Sequence, residues 1–406
     1  MSSHAQPLVP ARSAVSLAWP AALALAALMG IGRFAFTPVW PLMAHDAALS
    51  LEQGGWLASA NYAGYLLGAL IAAAWPPRRP LAALGASLLA VAALTLAMPL
   101  PHSVAGWAAL RLAAGWASAL GFICVASWRP ARAGDPIEPA ASAVVYAGVG
   151  AGIAATGLAC LALMAAGATA AQCWVALGAL ALALSMAAWP RLRAALPATA
   201  ASARPSNREP LPRGMAGLAL HYGVFGIGYI IPATFLPAMA KEVMPDPAVF
   251  GWAWPLFGLA AALSCLMVPK LARRHGEIRI WRGAQAAMAL GMAVAALRHD
   301  LAAVIVAALL VGGTFMVITQ AGMVAARRLA GAAAPRAAAL MTAAFAAGQI
   351  VGPLLAAWTA RLGASLPQTL AAGAALLALS AWGLGKITAA RGSAGHNAVD
   401  PRGNAP

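Results

Sequence analysis

Apolar runs follow one another along almost the whole chain, each long enough to cross about 30 Å of hydrocarbon at ~20 residues per helix. Twelve are read, at about 17–43, 54–75, 81–98, 103–128, 140–166, 170–189, 214–240, 250–268, 281–297, 301–326, 337–358 and 367–387. Membrane strands would show short alternating segments, whereas these runs are continuous Ala, Leu and Gly. The 406 residues are 62% hydrophobic and 9% charged, against roughly 25% charged in a soluble domain. Mean hydropathy is +0.79. Disorder, collagen and a disulfide scaffold are excluded on the same grounds, and an all-α membrane protein is expected. The first run is too long for a signal-peptide core and has no small-x-small cleavage site after it. Trp19, Trp40, Trp56, Trp75, Trp107, Trp128, Trp174, Trp189 and Trp281 fall near run ends, where an amphipathic ring prefers to sit.

A net charge of +16 would point to nucleic acid if the charges were clustered, but they lie in short loops between apolar runs. No nucleic-acid partner is expected. Sorted by alternate sides of the membrane, with Arg33 and Arg111 set aside, 21 of the 26 basic residues share one side, and only Lys241, Arg298 and Arg361 lie on the other. The positive-inside rule then places both termini in the cytoplasm. The stretch 190–213 is the long polar connection and reads as a linker between a six-helix bundle over 1–189 and another over 214–387, with a disordered cytoplasmic tail over 388–406. Cys124, Cys160, Cys173 and Cys265 are scattered singly through apolar sequence and read as packing residues. Neither a cofactor nor a metal is expected.

The two halves repeat. Gly30-Ile31-Gly32 with Pro41 and Met43 recurs as Gly226-Ile227-Gly228 with Pro237 and Met239, an offset of 196 that also relates Gly55-Trp56 to Gly251-Trp252, Arg78 to Arg274 and Gly152 to Gly348. A parallel six-plus-six repeat is an architecture of secondary transporters. GIGRFAFTPVWPLMA (30–44), FGIGYIIPATFLPAMA (225–240), MTAAFAAGQIVGPLLAAW (341–358) and Arg111-x-x-x-Gly115 resemble the major facilitator superfamily, and within it the YbfB/YjiJ-type transporters. The resemblance implies two pseudo-symmetric six-helix bundles in a bacterial inner membrane and a central cavity lined mainly by spans 1, 4, 7 and 10. It also implies alternating access by rocking, with a small-molecule substrate and a monomeric carrier in the lipid bilayer.

Two departures from the superfamily pattern matter. The loop between spans 2 and 3 is only Trp75-Pro76-Pro77-Arg78-Arg79-Pro80, and its counterpart from Lys270 to Gly276 lacks the aspartate that often latches the bundles. Span 5 carries Gly148, Gly150, Gly152 and Gly157 but no Gly-Pro; Gly352-Pro353 stands in span 11 instead. A drug/proton antiporter is thereby disfavoured.

Arg33 is the most informative residue, because an arginine deep in a span costs roughly 2.5–3.5 kcal/mol on insertion scales and normally faces a cavity or a partner. Gly30, Gly32, Pro38 and Pro41 weaken the helix around it, as in transporters whose broken helices line a site. Arg33 either contacts substrate or bonds carbonyls freed by those breaks. Arg111 sits at matching depth, ~12 Å below the outer boundary at 1.5 Å per residue, where both arginines would face one ligand. No Asp or Glu lies in a span interior, so two buried cations call for a bound anion or ordered water.

Asn61, Tyr62, Tyr65, Tyr229, Thr314, Thr319, Gln320 and Gln349 are candidates for polar lining, or else for bonds between helices. His221 is the histidine well inside a span and a candidate for proton coupling. Gly30, Gly32, Gly148, Gly152, Gly348 and Gly352, with Pro38, Pro41, Pro353 and Gln349, are expected to serve helix packing or gating.

The leading expectation is a secondary or facilitative carrier of a small organic anion. The alternative within transport is an exporter of a neutral or hydrophobic compound with both arginines structural. A membrane-embedded transferase lacks a His-Asp pair, an intramembrane carboxylate and a metal-ligand cluster, so no catalytic residue is assigned; a receptor-like binding protein lacks a soluble effector domain.

Overall fold

The computed structural model describes residues 14–128, 137–200, 210–243, 252–298 and 300–396. Helices account for nearly all of them and no strand occurs among them. Ten stretches are long and apolar enough to cross a membrane; one, Leu301–Ala356, contains two helices, and Pro80–Leu96 is a further apolar helix of 17 residues. In order the helices are α1 Ala14–Leu25, α2 Phe36–Asp46, α3 Leu51–Ala74, α4 Pro80–Leu96, α5 Val104–Ser127, α6 Glu138–Ala165, α7 Ala170–Ala200, α8 Met215–Val243, α9 Ala253–His275, α10 Glu277–Leu297, α11 Leu301–Ala330, α12 Ala334–Arg361 and α13 Leu366–His396.

Several helices outrun the apolar runs that announce them. α7 continues to Ala200, into the stretch expected as linker, because Leu192 is buried and the Arg191 guanidinium lies 4.8 Å from the centre of the Trp19 ring. α13 continues to His396, so residues 388–396, expected as disordered tail, are helical; Ala389, Ala390 and Arg391 are good helix formers. Residues 201–209 of the linker, 397–406 of the tail and the loops around Arg129, Arg132 and Pro245 lie outside the described residues.

The first span is built in pieces. α1 gives way to a π-helical turn over Ala26–Ile31, in which Gly32 N–H donates to the Ala27 carbonyl at 3.0 Å and Phe34 N–H to that of Met29 at 3.1 Å, five residues back in each case. Pro38 offers no N–H to the Phe34 carbonyl, which loosens the chain between the π-turn and α2, whereas Pro41 sits inside α2. Such π-turns are frequent at functional sites.

Helix starts at one end of the bundle mostly carry side-chain caps, α9 behind Trp252 being uncapped. Ser50 and Gln53 form a full capping box on α3, and the Ser103 hydroxyl accepts from Gly106 N–H at α5. Thr169 and Gln172 do similar work at α7, Asp300 at α11, and Ser365 with Gln368 at α13. The cap holds the Asp300 carboxyl below its ordinary range, first through the Ala303 amide and then through Arg298. At the other end α4, α6 and α10 begin without a side-chain cap, and arginines gather there instead.

Helices before residue 200 pack chiefly on one another, α3 and α4 on α5, α1 on α6, and α4 on α7; those after 215 do likewise, α8 on α12 and α10 on α11 and α13. Two seams join the sets, α6 against α9 and α3 against α12. The 196-residue repeat reappears as a contact. A Cβ on Gly30 would lie 2.5 Å from the Gly152 carbonyl carbon, and one on Gly348, the repeat of Gly152, 3.1 Å from that of Gly226. Both pairs let helix backbones touch where any side chain would hold them apart.

Candidate functional site

Arg33 emerges where the π-turn runs into α2, and only 2% of its surface is exposed. Its Nη2 donates a short hydrogen bond to the Gln349 Oε1 of α12, across the α3/α12 seam. Its guanidinium carbon lies 3.9 Å from the centre of the Tyr65 ring, with Tyr62 at 5.5 Å, Phe34 at 5.7 Å and Phe345 at 5.9 Å. Taking this cation out of water costs several kcal/mol. The Gln349 bond offsets about 1.5–3 kcal/mol and a desolvated aromatic face about 2 kcal/mol. The balance remains open, because Nε and Nη1 are buried without a hydrogen-bond partner, as is the Nε2 of Gln349.

Arg111, on α5, is also buried. Its Nε makes a long 3.5 Å contact to the Leu57 carbonyl, and its guanidinium lies 4.6 Å from the centre of the Phe36 ring. One residue holds the two arginine-bearing segments level. Asn61 Nδ2 donates to the Arg111 carbonyl at 2.9 Å and reaches the Gly32 carbonyl at 3.4 Å, leaving its Oδ1 unpaired. Tyr62 lies within electrostatic reach of both cations, which also repel each other.

Aromatic rings from the later helices pack beside the cluster. Tyr229, which repeats Arg33, stacks on Phe315 at 4.9 Å and lies 6.1 Å from Phe345; Phe315 meets Phe34 edge-on at 6.3 Å. Arg33, Arg111, Asn61, Tyr62, Tyr229 and Gln349 are therefore gathered, and Tyr65, Phe34, Phe315 and Phe345 complete the cluster. A phenylalanine in an apolar run carries no mark of such a role.

The other expected lining residues have bonds or neighbours of their own. The Thr314 hydroxyl turns back to its own helix at the Leu310 carbonyl, and Thr319 does the same at Phe315. Gln320 lines a cavity of about 20 Å³ with Glu138, Ser142 and Arg327, room for about one water. His221 Nδ1 lies 2.8 Å from Ser380 Oγ, joining α8 to α13.

The glycines divide between two jobs. Gly30, Gly148 and Gly152 let the first span and α6 touch, Gly32 sits against Ser118 and Val91, and Gly348 and Gly352 let α12 approach α8. Pro353 lies inside α12 and Pro41 inside α2, with Pro38 in its first turn. Gly150 and Gly157 instead face α9: a Cβ on Gly150 would land on the Ala262 amide nitrogen, one on Gly157 on Pro255, and one on Gly258 on the Ala154 amide nitrogen.

A third arginine is buried. Arg327, sorted with the loop charges in the sequence, has 4% of its surface exposed. Its Nη1 reaches the carbonyls of Trp128 at 3.1 Å and Ala126 at 3.4 Å, and its Nη2 lies 3.5 Å from Glu138 Oε1. The C-terminus of α5 and a carboxylate of α6 both favour a cation there. The end of α11 is thereby tied to α5 and α6 of the other set of helices. Glu138→Gln keeps an acceptor but leaves Arg327 without its counter-charge, so this end should open more often. Labelling of Ser142→Cys by a membrane-impermeant thiol reagent is expected to rise several-fold in the Glu138→Gln background; the four native cysteines are buried.

Residues 25–383 match the family described as "Uncharacterised MFS-type transporter YbfB", MFS standing for major facilitator superfamily. The chain belongs to this family. The solved structure of the human organic anion transporter MFSD10 (TETRAN) is similar with a TM-score of 0.65, covering 90% of this chain and 98% of that one at 15% identity. At that identity the likeness carries the fold alone. Among curated proteins no sequence matches. Family, fold and apolar helices together make this YbfB-type protein a multi-pass membrane protein of a transporter family, whose members are not enzymes.

Proposed function

We propose that this YbfB-type transporter carries a small organic anion across the bacterial inner membrane by alternating access, two six-helix halves rocking about the α3/α12 and α6/α9 seams. One observation carries the anion reading: buried Arg33 has two guanidinium nitrogens without a partner, beside a second buried arginine and with no carboxylate paired to either among the described residues. A substrate carboxylate supplies the missing acceptors and the missing charge at once. A cation would meet repulsion from both. Arg33 lies between the sets of helices, so binding there is sensed by both halves. The structurally similar human MFSD10 is an organic anion transporter, in keeping with this reading. His221 shares a hydrogen bond with Ser380 through Nδ1 and stays the side-chain candidate for proton coupling beside the substrate's own acid group; uniport and anion exchange fit the same site. The carrier works as a monomer.

The test is a panel of small carboxylates, neutral analogues and amines, each offered to purified protein in a melting-temperature assay. Ligands that bind the folded state raise the melting temperature by mass action, and only carboxylates are expected to do so. If neutral compounds alone stabilise, the arginines serve the fold and the exporter reading replaces this one.

Orientation has its own check. Reporter fusions after Leu51, Pro245 and Gly363 are expected on the periplasmic side and fusions after Arg79, Arg204 and Arg274 on the cytoplasmic side. The inverse pattern overturns the placement of both termini in the cytoplasm.

A further inference from the structure

A sizeable cavity lies away from the arginine cluster. Between α10 and α13, on the outer face of the later helices, runs a groove of about 770 Å³, within the range of sites that hold drug-sized ligands. Its walls are alanine at helical spacing, Ala286 and Ala293 on α10 and Ala371 and Ala378 on α13. Small residues on facing membrane helices ordinarily bring the backbones together. On the inner face the two helices do meet: Trp281 is fully buried and donates to Gln285 at 2.8 Å, and Gln285 donates to the Leu377 carbonyl of α13 at 3.2 Å. The alanines of the outer face line the groove beside that contact.

The groove is not apolar throughout. Arg282 and Lys386 lie at one end of it, both exposed and neither in an ion pair with a carboxylate among the described residues. Lys386 Nζ lies 3.8 Å from the centre of the Trp382 ring, and Trp382 is itself exposed, as expected of an indole at headgroup level. The acid that could neutralise this end, Glu277, is paired with Arg328 instead. From Arg282 to Leu297 the groove follows α10 for ~22 Å at 1.5 Å per residue, more than the ~15 Å depth of one leaflet's hydrocarbon.

We propose that this groove is a binding site for an anionic phospholipid, its phosphate between Arg282 and Lys386 and an acyl chain along the alanine walls. The chemistry is complementary end for end: basic pockets between membrane helices bind anionic headgroups, and a methylene chain fills a groove that offers no hydrogen-bonding groups along its length. A second copy of the chain would bury the alanines as well, but it would bring its own arginines against Arg282 and Lys386.

Delipidated protein is returned to detergent with phosphatidylglycerol or phosphatidylcholine of matched chains, and bound lipid is counted by native mass spectrometry. Retention of phosphatidylglycerol is expected to exceed that of phosphatidylcholine by on the order of ten-fold. The preference is expected to vanish in Arg282→Gln/Lys386→Gln, whereas Ala378→Leu, which fills the groove, is expected to remove retention of both lipids. Both variants leave the arginine cluster untouched. Equal retention of the two lipids by the parent, or undiminished preference in the double variant, would overturn the proposal. So would a concentration-dependent dimer of the parent that Ala378→Leu dissociates, which would assign the groove to a second copy.

Discussion

Gly258→Val is expected to freeze the two halves against each other's motion while each half remains folded. On α9, Gly258 faces α6 where a Cβ would fall on the Ala154 amide nitrogen and 2.7 Å from the Gly150 carbonyl oxygen. Both obstacles are backbone, so no side chain can swing aside. Overpacking of this kind costs about 1–3 kcal/mol, and the strain is relieved by parting the helices at the seam rather than by unfolding either set. Spin labels on α4 and α11 should report a distance distribution that is broad and ligand-sensitive in the parent and single in the variant. Gly258→Ala should fall between the two. A Gly258→Val protein that keeps the parent's distribution at an unchanged melting temperature would show that the α6/α9 seam is not the moving surface.

Arg33 carries the other large effect. A carboxylate needs a planar fork to accept two parallel hydrogen bonds, and lysine keeps the charge without the fork. Arg33→Lys is expected to weaken anion binding by about 1–3 kcal/mol, the range for a charge-assisted hydrogen bond, and Arg33→Gln to weaken it further. The ligand-free Arg33→Gln protein should melt no lower than the parent. It loses the bond to Gln349 and the ring of Tyr65 but no longer buries a cation with unmatched donors. Arg111→Lys should be milder, since the Arg111 side chain holds only a 3.5 Å contact to Leu57 and the face of Phe36 and acts on a ligand chiefly through its field. Titration calorimetry on variants matched for melting temperature separates these outcomes.

Much of this was legible before any coordinates, and the parts that were not share a physical reason. The helical class follows from runs too long and too apolar for anything else. Arg33, Arg111 and Asn61 stand out because a polar group inside such a run must be satisfied or used. Gln349 stood out for the same reason, but its partner did not: no pattern within one helix says that residue 349 meets residue 33. Phe315 and Phe345 are silent in a sequence where apolar residues are the background. Arg327 and its partner Glu138 are hidden for the opposite reason, since charges at the ends of runs are normally solvated and only the packing of α5, α6 and α11 shows these two buried together. For Thr314 and Gln320, polarity marks a helix without saying which of its faces or ends meets the site.

The most direct measurement of the central claim is ligand-induced stabilisation of the parent and of Arg33→Gln across the same panel of carboxylates, neutral analogues and amines. The account predicts that at least one small carboxylate raises the melting temperature of the parent by several degrees, that the shift disappears in Arg33→Gln, and that amines move neither protein. A carboxylate that stabilises Arg33→Gln as well as the parent, or stabilisation by amines alone, would contradict it.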